Sequence, residues 1–490
     1  LETVAVKEPK AGTYVFDLGT NFAGWQQLTT SGPAGTTITM RPAEKLKADG
    51  TVDQGSVGGD IRDRFTLAGT GAETFTPRFV YHGFRYLQVE GLTTAPTAAT
   101  VKGLVLRATD RAVGSFATSD AQMTGIHRII DRSVQSNMYS VFTDCPHREK
   151  LGWLDQTNLV FDTLAYGYDV QAHYRKMLQD VVDAQQDDGL IPTTAPEDAL
   201  FAGAFRHDAN WGATLAVSSW QIYQWYGDDS AMRAHWPQMV EYADYLASIS
   251  KDGIVPGGLG DWITPASPAT PPALTQTWAY HRILTHMSRI AAALGRDADA
   301  AAYEQKAAQV ATAFHATFYH PETGLYGNGD QASQALALQE NLVPTDLRAG
   351  VLDRFVQQIR AADDHIVVGE VGLYAAVDLL SRERLDDVLH DWVQRDDGVS
   401  YGKFLAAGAT SLPESWTSSG ASQNHYMLGA IDSWFTGGVA GITQADDSVA
   451  WKKVVIEPAL VGDVESAASS YESVRGTISS SWVRTDGQVR

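Results

Sequence analysis

The chain has a single cysteine, Cys145, in 490 residues, so it cannot form an internal disulfide. A lone thiol close to His147 could be a nucleophile. The blander reading is a small buried residue, and it is the one adopted here. No apolar run approaches the roughly 20 residues that a membrane-spanning helix needs. Positive charge is scarce: 37 Lys and Arg against 58 Asp and Glu give a net charge of −21. That excess argues against nucleic acid or an anionic membrane as partner and is indifferent to a neutral sugar. His-x-x-x-His and Cys-x-x-Cys pairs are missing, as is EF-hand spacing, so no metal is expected. No glycine-rich loop carries the Lys-Ser/Thr of a phosphate site, and no cofactor is expected. The chain opens on Leu1-Glu2-Thr3 without an initiator methionine, leaving room for a removed signal peptide. The compartment stays open, with extracellular favoured over cytoplasmic, and nothing bears on oligomeric state.

What is present is the length of about three domains and an ordinary globular composition, 44% hydrophobic and 19% charged. Thirteen tryptophans and nineteen tyrosines exceed what packing demands, and aromatic faces suit the C–H faces of sugars, although most will only fill cores. The densest polar stretch is 143–156, Thr-Asp-Cys-Pro-His-Arg-Glu-Lys-Leu-Gly-Trp-Leu-Asp-Gln. It sets Asp144, Glu149 and Asp155 among Arg148, Lys150, His147 and Trp153. A carboxylate beside an arginine and a tryptophan suits general acid chemistry on a sugar. A helix start, capped by Asp144 with Pro146 in its first turn, explains the same residues without function.

The first hundred or so residues read as β. Short runs at 14–18, 37–40, 79–81 and 85–89 are separated by Gly32-Pro33, Asp49-Gly50 and Thr76-Pro77, which points to a β-sandwich. The period changes near Ser119. Met123, Ile126, Ile130 and Val134 recur at helical spacing behind a Thr118 or Ser119 cap. Further stripes are Met239, Tyr242, Ala243, Leu246 and Ile249, then Ile283, Met287, Ile290, Ala291 and Leu294, closed by Gly295. Helices are expected over 301–318, 347–361 and 382–394. Many helices joined by polar, aromatic loops fit an α/α toroid or a helical solenoid equally. β character returns at 451–458 and 475–485, followed by an Asp486-Gly487 hairpin turn. The return strand stops at Arg490, which is expected of a fragment or an incomplete C-terminal sandwich.

Loops of the helical region hold four more clusters. His207-Asp208-Ala209-Asn210-Trp211-Gly212 and Gly260-Asp261-Trp262 each join an Asp to a Trp behind a Gly- and Pro-shaped approach. Such a pair can hold hydroxyls and stack a sugar ring, although Asp in a Gly-rich loop is often only a turn former. The others are 408–416, Gly-Ala-Thr-Ser-Leu-Pro-Glu-Ser-Trp, with Glu414 and Trp416, and Gln423-Asn424-His425-Tyr426. A lone His425 would read as a satisfied core histidine. Glu414 nearby raises its interest.

The stretch Asp-Cys-Pro-His-Arg-Glu-Lys-Leu-Gly-Trp-Leu resembles the signature of bacterial α-L-rhamnosidases, glycoside hydrolase family 78. The commoner signature has an Asp-Glu pair after the arginine and one more residue before Gly-Trp, where this chain has a single Glu149. The 408–416 run resembles the family's Gly-Ala-Thr-Thr-Ile-Trp-Glu-Arg-Trp, with Pro413 and Ser415 replacing its Trp and Arg. Asp17-Leu18-Gly19, Gly24-Trp25, Glu44-Lys45-Leu46 and 81–86 resemble its leading β-domain. The likeness runs from about Tyr14 to Trp482.

It implies an (α/α)6-barrel catalytic domain at 113–445. An N-terminal β-sandwich at 1–112 and the start of a C-terminal β-sandwich at 446–490 would flank it. It also implies an inverting hydrolase releasing terminal α-L-rhamnose from glycosides or polysaccharides, with Glu149 as general acid and Glu414 as general base. Their carboxyls are then expected about 6.5–9.5 Å apart with room for a water. Asp144, Arg148, Trp153, Asp155, Asp208, Trp211, Asp261, Trp262, Trp416 and His425 would bind the sugar or tune the acid. The alternatives are an inverting (α/α)6-barrel glycosidase for another deoxy sugar or a uronide, and a catalytically silent carbohydrate-binding relative.

Overall fold

Alternating burial along 13–30 shows how the N-terminal part folds. The strand Thr13–Thr30 turns Phe16, Leu18, Phe22 and Leu28 inward, and they meet Ile38, Met40, Phe84, Leu87, Val89 and Val101 in one apolar core. The computed structural model describes residues 1–418, 420–486 and 488–490. Contacts within the chain divide it into two compact units. One comprises Leu1–Thr109, Arg128–Leu151 and Ala407–Tyr426; the other comprises Asp110–His127, Gly152–Ala406 and Met427–Arg490.

In the first unit seven strands form one antiparallel sheet. Thr13–Thr30 pairs with Ala5–Lys10, His82–Glu90, Val101–Val105 and Glu73–Phe75, and its register against His82–Glu90 shifts between Asp17 and Phe22. Thr37–Ala43 continues the sheet between His82–Glu90 and Asp63–Thr66. The run at 79–81 is not a strand. Phe79 has φ +60° and lies fully exposed, so the chain bends there and pairing begins only at His82.

In the second unit six helices close a ring. Phe161–Gly167 packs on Thr214–Tyr226, which packs on Pro272–Ala293, then Gln331–Gln339, Glu370–Arg382 and Ile431–Trp434, which returns to Phe161–Gly167. Gln171–Ala184, Trp236–Ile249, Asp297–Phe318, Thr345–Ala361 and Asp386–Val393 each lie against one ring member. Sequence separates the layers. Every residue of Gln331–Gln339 is buried, whereas Thr345–Ala361 buries only Val351, Phe355 and Ile359, a one-sided stripe. This is the toroid, and the solenoid reading falls because the ring closes.

Two local expectations change. The first long helix, Ala121–Asn137, is capped by Asp120, whose Oδ1 accepts from the Met123 amide at 2.7 Å, not by Thr118 or Ser119. The helix expected over 382–394 begins only at Asp386. Glu370–Arg382 ends where Arg384 turns left-handed at φ +55°, and Asp386–Val393 begins anew. Strands Ser466–Ser473 and Gly476–Thr485 pair with each other and, through the first of them, with Gly114–Thr118. Gly487 of the expected hairpin turn lies outside the described residues. Among the described residues no helix is long and apolar enough to cross a membrane.

Candidate active site

In the first unit the signature forms an irregular closed turn and not a helix start. Asp144 N–H donates to the Leu151 carbonyl at 3.0 Å, Leu151 N–H donates back to Asp144 Oδ1 at 3.1 Å, and Lys150 sits at φ +59°. The Asp144 side chain thus pins the loop's two ends together. The strand beneath is close enough that a Cβ on Gly83 would stand 2.6 Å from Pro146 Cγ and 3.2 Å from His147 Cβ, so only glycine fits there. Cys145 is buried; its thiol donates to Asp144 Oδ2 at 3.0 Å, and burial with the Asp144 charge pushes it well above the usual thiol range. It is the inert residue expected, not a nucleophile.

The second loop, 410–425, doubles back on itself. His425 N–H donates to the Leu412 carbonyl at 2.8 Å and Glu414 N–H to the Ser422 carbonyl at 2.9 Å, while Leu412 N–H is held by Ser133 Oγ at 2.8 Å. Across these turns Arg148 Nη2 donates to Glu149 Oε1 at 2.9 Å and to Glu414 Oε1 and Oε2 at 2.9 and 3.0 Å. One guanidinium nitrogen therefore joins two carboxylates 265 positions apart in sequence, and their nearest oxygens lie at most about twice 2.9 Å apart. That is closer than the expected separation of about 6.5–9.5 Å, and Arg148 stands where room for a water was expected.

Their surroundings differ electrostatically. Burial pushes Glu414 up, but His425, Arg148 and the Ser422 amide, 2.7 Å from its Oε2, outweigh it and hold it below the usual carboxylate range. His425 is buried, which lowers it to about 4 despite Glu414 and Glu149, so it is neutral at pH 7. Arg148 and the amide therefore do the holding there. Asp144 goes the other way: burial, then the Glu149 charge, raise it well above its ordinary value against the Cys145 and Leu151 donors. Glu414 is thus shifted toward its ionised form and Asp144, close to Glu149, toward its protonated form. Trp416 lies buried in this unit.

The second unit gathers the other expected residues at helix starts. Asp155 opens Asp155–Leu159 and Glu370 opens Glu370–Arg382; they hydrogen-bond to each other, and burial raises Asp155 to about 7. Asp261 accepts from Gly369 N–H at 2.6 Å and Gly372 N–H at 2.8 Å, while Glu370 N–H donates to the Trp262 carbonyl at 3.0 Å. Asp208 caps Ala209–Gly212 through Asn210 N–H at 2.8 Å and takes Leu259 N–H at 2.7 Å. Asp208 and Asp261 are buried and bound to backbone amides, and Asp208 also accepts from Asn210 Nδ2 at 2.7 Å. Trp211 is 2% exposed, packed in the core. Trp153 and Trp262, partly exposed, are linked by rings: Trp153–Phe201 centroids are 5.0 Å apart, Phe201–Phe205 6.5 Å and Phe205–Trp262 5.5 Å.

Glu370, Phe201 and Phe205 were missed by sequence reasoning. The apolar run Leu200-Phe201 inside a polar loop was a usable signal for the rings. Nothing in Val368-Gly369-Glu370 marks a site.

Comparison with known proteins finds family likeness along nearly the whole length. The model of the bacterial alpha-L-rhamnosidase 6 hairpin glycosidase domain matches residues 111–439. The concanavalin-like and C-terminal domains of bacterial alpha-L-rhamnosidases match 7–107 and 441–490. An alpha-L-rhamnosidase of Streptomyces avermitilis is 33% identical over 98% of this chain and 47% of its own length. One from Alteromonas sp. is 25% identical over 99% and 55%. The S. avermitilis enzyme complexed with L-rhamnose superposes with a TM-score of 0.94 at 32% identity, covering 100% of this chain and 48% of that one. The alpha-L-rhamnosidase from Dictyoglumus thermophilum gives 0.94 at 30%, covering 99% and 56%. The chain spans about half the length of the curated relatives it matches.

Proposed function

We propose, because this chain belongs to the bacterial α-L-rhamnosidase 6-hairpin glycosidase family, that it hydrolyses terminal α-L-rhamnosides by general acid and base catalysis with Glu149 and Glu414. The observation that carries the reading is the single Arg148 nitrogen shared by both carboxylates. Glu414, kept ionised by Arg148 and the Ser422 amide, takes a proton from the attacking water. Glu149, in its acid form, gives its own proton to the glycosidic oxygen and is left as the carboxylate beside Arg148. No third group has to move electrons, because the transition state is an oxocarbenium ion flanked by the two carboxyls.

An inverting course needs carboxyls about 6.5–9.5 Å apart. The reading therefore requires Arg148 to release one carboxylate as sugar and water enter.

Trp153, Phe201, Phe205 and Trp262 are the proposed saccharide platform of the second unit, and Asp155 is a proposed hydroxyl ligand. Asp208 and Asp261 act through the backbone they hold, and Trp211 through packing. The proposal keeps the division at 112/113 and 445/446, supported by the matched ranges 7–107, 111–439 and 441–490.

The test is turnover of an aryl α-L-rhamnoside by the wild type and by Glu414→Gln. The wild type is expected to release rhamnose. The variant should lose about 10²–10⁴-fold in kcat with rhamnose affinity within a few-fold. Release only from a different aryl glycoside would favour the other deoxy-sugar or uronide enzyme. Rhamnose binding without turnover would favour the silent relative.

A further inference from the structure

The strand Thr37–Ala43 is followed at once by Glu44, a carboxylate with no exposed surface. An isolated buried carboxylate is costly, so its donors say what it is for. Asn21 Nδ2 donates to Oε1 at 3.0 Å and Ser56 Oγ to Oε2 at 3.0 Å; both belong to the sheet region. The other two come from the loops already described. Gln423 N–H donates to Oε2 at 2.9 Å, and His147 Nε2 lies 3.2 Å from the same oxygen. His147 Nε2 is also 3.0 Å from the Ser56 carbonyl, so both of its neighbours are acceptors and that nitrogen carries the hydrogen.

Each loop donor is one residue from the candidate chemistry. Gln423 follows Ser422, whose amide holds Glu414 Oε2 at 2.7 Å. His147 precedes Arg148, the guanidinium shared by Glu149 and Glu414. Asn21 fastens the same segment again: its backbone N–H donates to Thr410 Oγ1 at 2.9 Å, and its Nδ2 donates to the Gln423 carbonyl at 3.2 Å. Three donated hydrogen bonds and the His147 contact converge on two oxygens that only accept, whereas a glutamine would turn its own N–H₂ toward donors.

We infer that Glu44 is a positioning residue: it clamps the loop carrying Glu149 and the loop carrying Glu414 to one point of the sheet, and so sets the geometry of the two carboxyls. The assignment rests on the acid and base roles proposed above. It gives the β-region a part in catalysis without contact with substrate. A displacement of about 1 Å in a reacting group can cost on the order of 10²-fold in rate.

The experiment compares Glu44→Ala, Glu44→Gln and Ser56→Ala in the full chain, with two readouts. The first is kcat and KM on an aryl α-L-rhamnoside, measured well below each variant's Tm. Glu44→Ala is expected to lose roughly 10–100-fold in kcat with little change in KM, and Glu44→Gln a smaller part of that. Ser56→Ala, which removes a donor within the sheet region, should lower Tm and leave kcat within about twofold. The second readout is the titration of Glu414 followed by carboxyl ¹³C NMR and assigned with Glu414→Gln. Loosening the loop frees Glu414 from Arg148 and the Ser422 amide, so its midpoint should rise in Glu44→Ala by about half a unit or more.

A fall in Tm with kcat and the Glu414 midpoint both unchanged would overturn the assignment and make Glu44 a fold residue only. If Glu44→Ala does not fold, Glu44→Gln carries both readouts under the same criterion. If the wild type is inert on the rhamnoside, the acid and base reading fails by itself. The NMR midpoint then still decides whether Glu44 holds the loops.

Discussion

Asp261→Asn sets two effects of known sign against each other. Asp261 accepts two amides at the start of Glu370–Arg382, a place that ordinarily favours an ionised side chain. It is also fully enclosed, and burial wins: the group is raised to about 7 against the Gly372 and Gly369 donors. Relative to its ordinary 3.8 that is about 3 units, or about 4 kcal/mol at about 1.36 kcal/mol per unit. The folded-state value lies above the unfolded one. The extra proton therefore stabilises the fold fully below about pH 4, and this contribution is lost as pH rises through about 7.

Asparagine never ionises, but its N–H₂ faces one of the two amide donors, costing about 1–3 kcal/mol at every pH. The variant should be the less stable protein at pH 4.5, and the gap should close and reverse by pH 8. The total swing should reach up to about 4 kcal/mol. Guanidinium denaturation followed by tryptophan fluorescence at pH 4.5, 6 and 8 measures it. A gap that widens as pH rises would mean that the two amides and the helix terminus outweigh burial. The reasoning would then be refuted.

Tryptophans provide a second contrast. Trp211→Ala should cost about 3–5 kcal/mol in stability, because the ring is a core residue. Trp262→Ala should instead weaken rhamnose binding by about 1 kcal/mol with Tm nearly unchanged. Equal effects of the two on Tm would remove Trp262 from the platform. The pH–rate profile supplies a third check. Glu414 is held below its ordinary 4.5, so activity should persist below that pH and fall only as Glu414 takes up a proton. Loss of activity already near pH 6 would mean that another group limits the rate.

Legibility in the sequence followed the range of the forces involved. Helical stripes report local burial, and Val351, Phe355 and Ile359 sit where a one-sided helix would put them. The signature and the Glu414 loop were readable because short range order concentrates their polar groups. That the two would face one another was an expectation from the resemblance; their meeting at Arg148 was not foreseen, since no local pattern encodes a contact between residues 148 and 414. Glu370 carries no motif at all, and Glu44-Lys45-Leu46 marked only a likeness to the leading β-domain: a carboxylate's burial is decided by what folds over it from elsewhere in the chain. The Asp120 cap and the break at Arg384 were misjudged for a smaller reason. Several neighbouring residues could cap, and a left-handed arginine has no signature of its own.

The central claim is that Glu414 activates water while Glu149 protonates the leaving oxygen, and the anomer released first tests it most directly. Early hydrolysis of an aryl α-L-rhamnoside, followed by ¹H NMR before mutarotation equilibrates the sugar, resolves the two anomers. A water delivered by Glu414 to the face opposite the leaving group must give β-L-rhamnose first, with the α form growing in later. Prompt α-L-rhamnose would show that a carboxylate attacks the sugar itself. The account of Glu414 as base would then be wrong.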